Sequence, residues 1–235
     1  MALGVALIIF AIAIILPKLI ISNPVSRILT TQALEVGLSI LAILIFGKGR
    51  FREYGFCRPT LGTISGSKLS QWFWPVFLAL FVGALASGAM LITGAVGNPV
   101  VKQLSLPQII LFVWVFSSTI EEIFTRGFLQ GHLAPFSTTS VNLIFFRISL
   151  PALISALFFA CMHFSLLFAG VDLVTMIITW LFTFSLGLLA AHQRARTESL
   201  LPAIGIHMLG NIGGFLGGVL FTIINFISSG KLPGA

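Results

Sequence analysis

The chain has 235 residues, of which 57% are hydrophobic and only 8% charged, and its mean hydropathy is +1.10. About a quarter of the residues of a soluble domain are charged, so this composition excludes a water-soluble globule and requires apolar surface turned toward lipid. The formal charge of +7 gathers in one connection rather than along a soluble face, which excludes nucleic acid as a partner and points to membrane topology.

A helix needs about 20 mostly apolar residues to cross a bilayer. Seven segments qualify in chain order: Ala2–Ile21, Leu29–Phe46, Trp72–Val96, Pro107–Gln130, Leu150–Ala169, Leu173–His192 and Leu200–Ile227. They predict an all-α, polytopic bundle that forms a single integral membrane domain over residues 1–235. The first segment has nothing basic ahead of it beyond the amino terminus and six spans behind it, so it reads as a helix rather than a cleaved leader. Trp72 and Trp74 suit the headgroup level at the start of the third span. Ser87 and its neighbouring glycines suit close helix packing, as do the glycines of the last span. Pro107 and Pro202 fit the first turn of their helices, whereas Pro24, Pro59, Pro99 and Pro233 fall in connections. The apolar stretch Val141–Ile148 contains Arg147 and reads as a short eighth helix or as an extension of the fifth span. Asp172, the only aspartate, stands where it caps the sixth span. His132 and His192 fall near helix ends. Cys57 and Cys161 suggest neither a metal site nor a disulfide, and Cys161 is expected to be a small buried apolar residue.

Lys48, Arg50, Arg52, Arg58 and Lys68 crowd the second connection, and Arg194 and Arg196 lie in the sixth. An excess of Lys and Arg marks the cytoplasmic side, so the amino terminus and both connections are expected there, in a plasma membrane.

The ionisable residues inside spans carry the most information, because each charge near the bilayer centre costs about 2.5–3.5 kcal/mol on insertion scales. The run SSTIEEIFTRGFLQ of the fourth span holds Glu121, Glu122 and Arg126. Glu122 stands four residues before Arg126, the favourable order for a helical ion pair. Glu121 then lies about 100° around the helix and faces elsewhere, a carboxylate free for proton transfer. The fifth span places Phe159 one turn before His163, and the seventh places His207 one turn before Asn211. A single buried histidine is commonly a satisfied core residue. Three helices that each bring polar groups into lipid are explained most simply by mutual satisfaction at one site. At about 1.5 Å per residue, Glu121, His163 and His207 are able to share one layer, expected on the cytoplasmic side of the midplane.

These residues resemble the CPBP family of intramembrane peptidases, the CAAX proteases and bacteriocin-processing enzymes also called the Abi family. EEIFTR matches its Glu-Glu-x-x-x-Arg motif at Glu121, Glu122 and Arg126. FACMH matches Phe-x-x-x-His at Phe159 and His163, and HMLGN matches His-x-x-x-Asn at His207 and Asn211. The resemblance spans residues 107–211. It implies an endopeptidase similar to the type II CAAX prenyl endopeptidases, acting on a membrane-associated or prenylated peptide. It further implies that Glu121 and His163 activate water, that His207 and Asn211 stabilise the oxyanion, and that Glu122, Arg126 and Phe159 support them. A zinc mechanism is the alternative, with Glu121, His163 and His207 as ligands, since two histidines and a glutamate form an established catalytic set. No HExxH is present, and the metal-free reading with no cofactor is preferred. The other classes considered are a non-catalytic membrane scaffold of the same fold and a proton-coupled transporter, whose inverted repeats and broken helices the sequence lacks.

Overall fold

The computed structural model describes residues 1–60, 68–95, 97, 101–143 and 147–229. Val96, Pro99 and Pro233 lie outside them. Among the described residues seven helices are long and apolar enough to cross a membrane, as the segment count predicts. They are α1 (Ala2–Ile20), α2 (Pro24–Phe46), α3 (Lys68–Thr93), α4 (Leu106–His132), α5 (Leu150–Met162, running on as a 3-10 helix over His163–Ala169), α6 (Leu173–Thr197) and α7 (Leu200–Ser229).

Local chemistry sets the helix ends. The Asn23 side chain accepts from the Ser26 amide at 3.0 Å, with Pro24 in the first turn. Hence α2 starts at Pro24, five residues before the apolar run, because a cap and a proline specify a start that hydropathy does not see. Ser105 and Gln108 form a capping box ahead of α4. Asp172 caps α6 by accepting from the Thr175 amide at 2.9 Å, the role expected of it. At its other end α6 continues to Thr197, so His192 lies within the helix rather than at its end.

The described ends of the stretch 141–148 are extended rather than helical. Ser140–Asn142 (β1) pairs antiparallel with Arg147–Ser149 (β2), and the Arg147 guanidinium donates to Ser140 Oγ across the pair. A run this short satisfies its backbone by pairing strands more readily than by nucleating a helix.

Large side chains cover the outside of the bundle: Leu19 is 77% exposed, Ile92 82% and Ile227 77%. This is the lipid-facing surface that the low charge requires. Inside, α3 lies along α7 on small residues. A Cβ built on Gly83 would fall 2.1 Å from the Gly210 carbonyl oxygen, and one on Gly213 2.2 Å from that of Leu80. Ser87 Oγ donates to the Gly214 carbonyl at 2.6 Å, as its packing role predicts. Cys161 departs from expectation and is exposed: it sits on the side of α5 away from Phe159, where a thiol meets lipid as readily as core.

α4 occupies the centre, in contact with α1, α2, α5 and α7. Two side chains of α4 also reach α6, Arg126 donating to the Gly187 carbonyl at 2.9 Å and Gln130 to that of Ala191 at 3.0 Å. At one end of the bundle the second and sixth connections are stitched together. Arg194 donates to the Glu53 carbonyl at 2.8 Å, Leu200 N to that of Gly55 at 2.9 Å, and Ser199 Oγ to that of Cys57 at 2.6 Å. The two basic connections therefore share one face, as expected from their charge.

Candidate active site

The middle of α4 is wound unevenly. Ile109–Ser117 and Ile123–Leu129 are π-helical, and the α-helical stretch Ser118–Glu122 lies between them. Wide turns of this kind inside helices frequently accompany functional sites. They flank both glutamates and set them on different faces.

Glu122 points into the bundle. Its Oε1 pairs with Arg126 Nη1 at 3.0 Å, and both side chains are 0% exposed. Arg126 also donates to Thr125 Oγ1 at 2.7 Å and lies 4.4 Å from the centre of the Phe159 ring. The same Glu122 oxygen is 3.0 Å from His207 Nδ1. A carboxylate only accepts, so Nδ1 carries the proton and His207 Nε2 is the free ring atom.

Glu121 faces a cavity. Its Oε1 accepts from Ser117 Oγ at 2.5 Å, and its Oε2 lies 3.8 Å from His207 Nε2. The cavity, of about 390 Å³, is lined by Glu121, His163, His207 and Asn211 together. His163 Nδ1 stands 2.8 Å from the Phe159 carbonyl, which also only accepts. This leaves His163 Nε2 with a lone pair. Asn211 Nδ2 donates one proton to Ser118 Oγ at 3.1 Å and keeps a second. Phe159 packs edge-on against both imidazoles, with ring centroids 5.0 Å from His163 and 5.2 Å from His207. All seven residues singled out by motif thus come together at one place, Phe159, Glu122 and Arg126 behind the wall and the other four on it.

Two polar neighbours escaped the sequence reading. Gln32 and Glu35 of α2 are 8% and 4% exposed and line the same cavity. A carboxylate in the middle of an apolar span is itself the signal, but no motif marks it.

The cavity extends to the first connection, which we take as its mouth. Besides the site residues, the cavity is lined by Lys18, Pro24 and Arg27 around the first connection, Leu104 ahead of α4, and Phe168 after His163. These belong to the end of the bundle opposite the basic connections. Residue depth along a helix specifies a layer, whereas access depends on which helix ends splay apart. A larger cavity, about 1080 Å³, lies at the basic end between Arg50, Tyr54, His132 and Arg194, away from the glutamate and histidine set.

The zinc alternative needs three ligands about one point. Among the described residues no group of three His, Cys, Asp or Glu side chains is arranged to hold a metal ion.

Compared with known proteins, residues 103–213 match the family model described as Rce1-like, type II CAAX prenyl endopeptidase Rce1-like. The match covers all seven motif residues. No curated protein and no solved structure matches the chain.

Proposed function

Taking residues 103–213 as an Rce1-like type II CAAX prenyl endopeptidase domain, we propose that this multi-pass membrane protein hydrolyses a peptide bond of a membrane-associated, prenylated protein by a metal-free mechanism. The observation that carries the reading is the Glu121 carboxylate facing a cavity in lipid-embedded helices, 3.8 Å from one imidazole and lining that cavity with the other.

Water that enters the cavity meets two acceptors, Glu121 and the lone pair of His163 Nε2. Together they orient it and take its proton as it attacks the scissile carbonyl. The tetrahedral oxyanion is met by the remaining Asn211 N–H and by His207. Because Nδ1 of His207 already donates to Glu122, Nε2 donates only from the imidazolium. Both glutamates lie beside the ring, Glu122 at 3.0 Å from Nδ1 and Glu121 at 3.8 Å from Nε2. Glu121 then returns its proton to the leaving amine. Preorganised donors of this kind are worth about 2.7–4 kcal/mol each in acyl transfer.

The test is single-turnover cleavage of farnesylated and unfarnesylated peptides by purified protein. Glu121→Gln is expected to lower the rate by about 10³-fold, within the usual contribution of one general base, with the thermal midpoint in detergent unchanged. Full activity of this variant would remove Glu121 from the reaction.

A further inference from the structure

Two acceptors of α2 face the cavity with nothing to accept from. Glu35 is 4% exposed, and its carboxylate has neither a hydrogen-bond nor an ion-pair partner among the described residues. Only its backbone carbonyl is engaged, by Ser39 Oγ at 2.5 Å. Gln32, one turn earlier, is 8% exposed, and its Oε1 is buried without a partner. Both line the cavity that holds Glu121. Buried acceptors are nearly always satisfied, and a buried charge needs a countercharge.

The charge balance points the same way. Three carboxylates, Glu35, Glu121 and Glu122, stand in or just behind the cavity wall, against one guanidinium, Arg126, which is committed to Glu122. The remaining cations sit at the mouth and are engaged there. Lys18 lies 5.4 Å from the centre of the Phe168 ring, and Arg27 donates to the carbonyls of Ile21 and Ser22 at 2.9 and 3.2 Å. Neither cation reaches the Gln32 carbonyl oxygen or the Glu35 carboxylate, so the donor that these acceptors lack comes from outside, and a cationic donor makes the strongest bond to a carboxylate.

We propose that Gln32 and Glu35 form a subsite for a lysine or arginine side chain of the peptide substrate, close to the scissile bond. The ammonium or guanidinium donates to Glu35 and to the Gln32 carbonyl oxygen, and its stem lies along the apolar wall formed by residues such as Phe10 and Val113. This deepens the peptidase reading and rests on it.

The experiment uses the full chain in detergent micelles. The probes are internally quenched farnesylated peptides that carry lysine, norleucine or glutamate at each position in turn around the cleaved bond. At one position the lysine peptide is expected to exceed the norleucine peptide in kcat/KM by about tenfold, the contribution of one charge-assisted hydrogen bond. In Glu35→Gln, which keeps the shape and removes the charge, that ratio falls to about one by the same reasoning. Gln32→Leu lowers it in part and serves if Glu35→Gln does not fold. A ratio near one at every position in the wild type means a carboxylate solvated by water only, and overturns the proposal. So does a ratio that Glu35→Gln leaves unchanged, even if all rates drop together. If the wild type cuts none of the peptides, the peptidase reading fails separately. Fluorescence anisotropy of the same peptides then decides the subsite: binding that favours lysine and depends on Glu35 retains it, and equal binding rejects it.

Discussion

His207 Nδ1 and Glu122 Oε1 are 3.0 Å apart, and the same carboxylate oxygen is 3.0 Å from Arg126 Nη1. One oxygen thus serves an ion pair that holds the bundle together and a histidine on the cavity wall. These two roles are separable by mutation. Arg126→Met alone leaves Glu122 a buried unpaired charge and is expected to cost about 3–5 kcal/mol of stability. Adding Glu122→Gln removes that charge and restores most of the loss, because a neutral pair of similar volume is tolerated where half of an ion pair is not. Cleavage by the double variant remains about 10²–10³-fold slow, the scale of one lost oxyanion donor, since His207 Nδ1 then lacks the carboxylate that orients the ring. SDS-induced unfolding reads the first effect and single-turnover cleavage the second. A double variant that is both stable and fast would confine Glu122 to a structural role.

Much of this arrangement is legible in the residue order. An i, i+4 spacing brings Glu122 to Arg126 and Phe159 to His163, and the cost of charge in lipid makes the convergence of three polar helices the economical outcome. What the order conceals is tertiary. The contact between Glu122 and His207 joins residues 85 positions apart, and no local pattern encodes it. Gln32 and Glu35 belong to no motif, so a reading led by motifs passes over them. The hairpin of Ser140–Asn142 with Arg147–Ser149 is hidden because a short apolar run is compatible with helix and strand alike. The exposure of Cys161 is hidden because in a membrane helix the core face and the lipid face are both apolar.

The contact of α3 with α7 supplies the packing prediction. Gly213 meets the backbone of Leu80, where a Cβ would lie 2.2 Å from the carbonyl oxygen, whereas Gly218 has nothing within 4 Å. Backbone cannot swing aside as a flexible side chain does. Gly213→Ala is therefore expected to destabilise by about 1–3 kcal/mol, the usual cost of overpacking. Gly218→Ala should stay within about 0.5 kcal/mol, as substitutions away from packed features do. Unfolding in detergent, run on both variants side by side, checks the contrast. Equal effects would mean that α3 and α7 do not approach on their glycines.

Metal dependence follows from the donor set. Among the described residues no three His, Cys, Asp or Glu side chains close around one point. Prolonged treatment with 1,10-phenanthroline and EDTA, followed by desalting, is expected to leave cleavage within about twofold of the untreated protein, well short of the loss that follows removal of a catalytic metal. Loss of activity restored by zinc and by no other divalent ion would reinstate the metal mechanism, and the ligands would then have to rearrange around it.

Access to the cavity gives the last prediction. The mouth is lined by Lys18 and Arg27, at the end of the bundle away from Arg52 and Arg194. Seven spans among the described residues put the first and second connections on opposite sides of the membrane, and from the crowd of Lys and Arg in the second we propose that its side is cytoplasmic. Single-cysteine variants Lys18→Cys and Arg52→Cys, each in a background where Cys57 and Cys161 are serine, should react with a membrane-impermeant maleimide from opposite faces of sealed vesicles. Arg52→Cys should react from the cytoplasmic face. Labelling of both from one face would break the span count. Labelling of Lys18→Cys from the cytoplasm, with Arg52→Cys outside, would keep the fold and reverse its orientation. The mouth would then meet substrates made in the cytoplasm, and the basic connection would violate the charge rule.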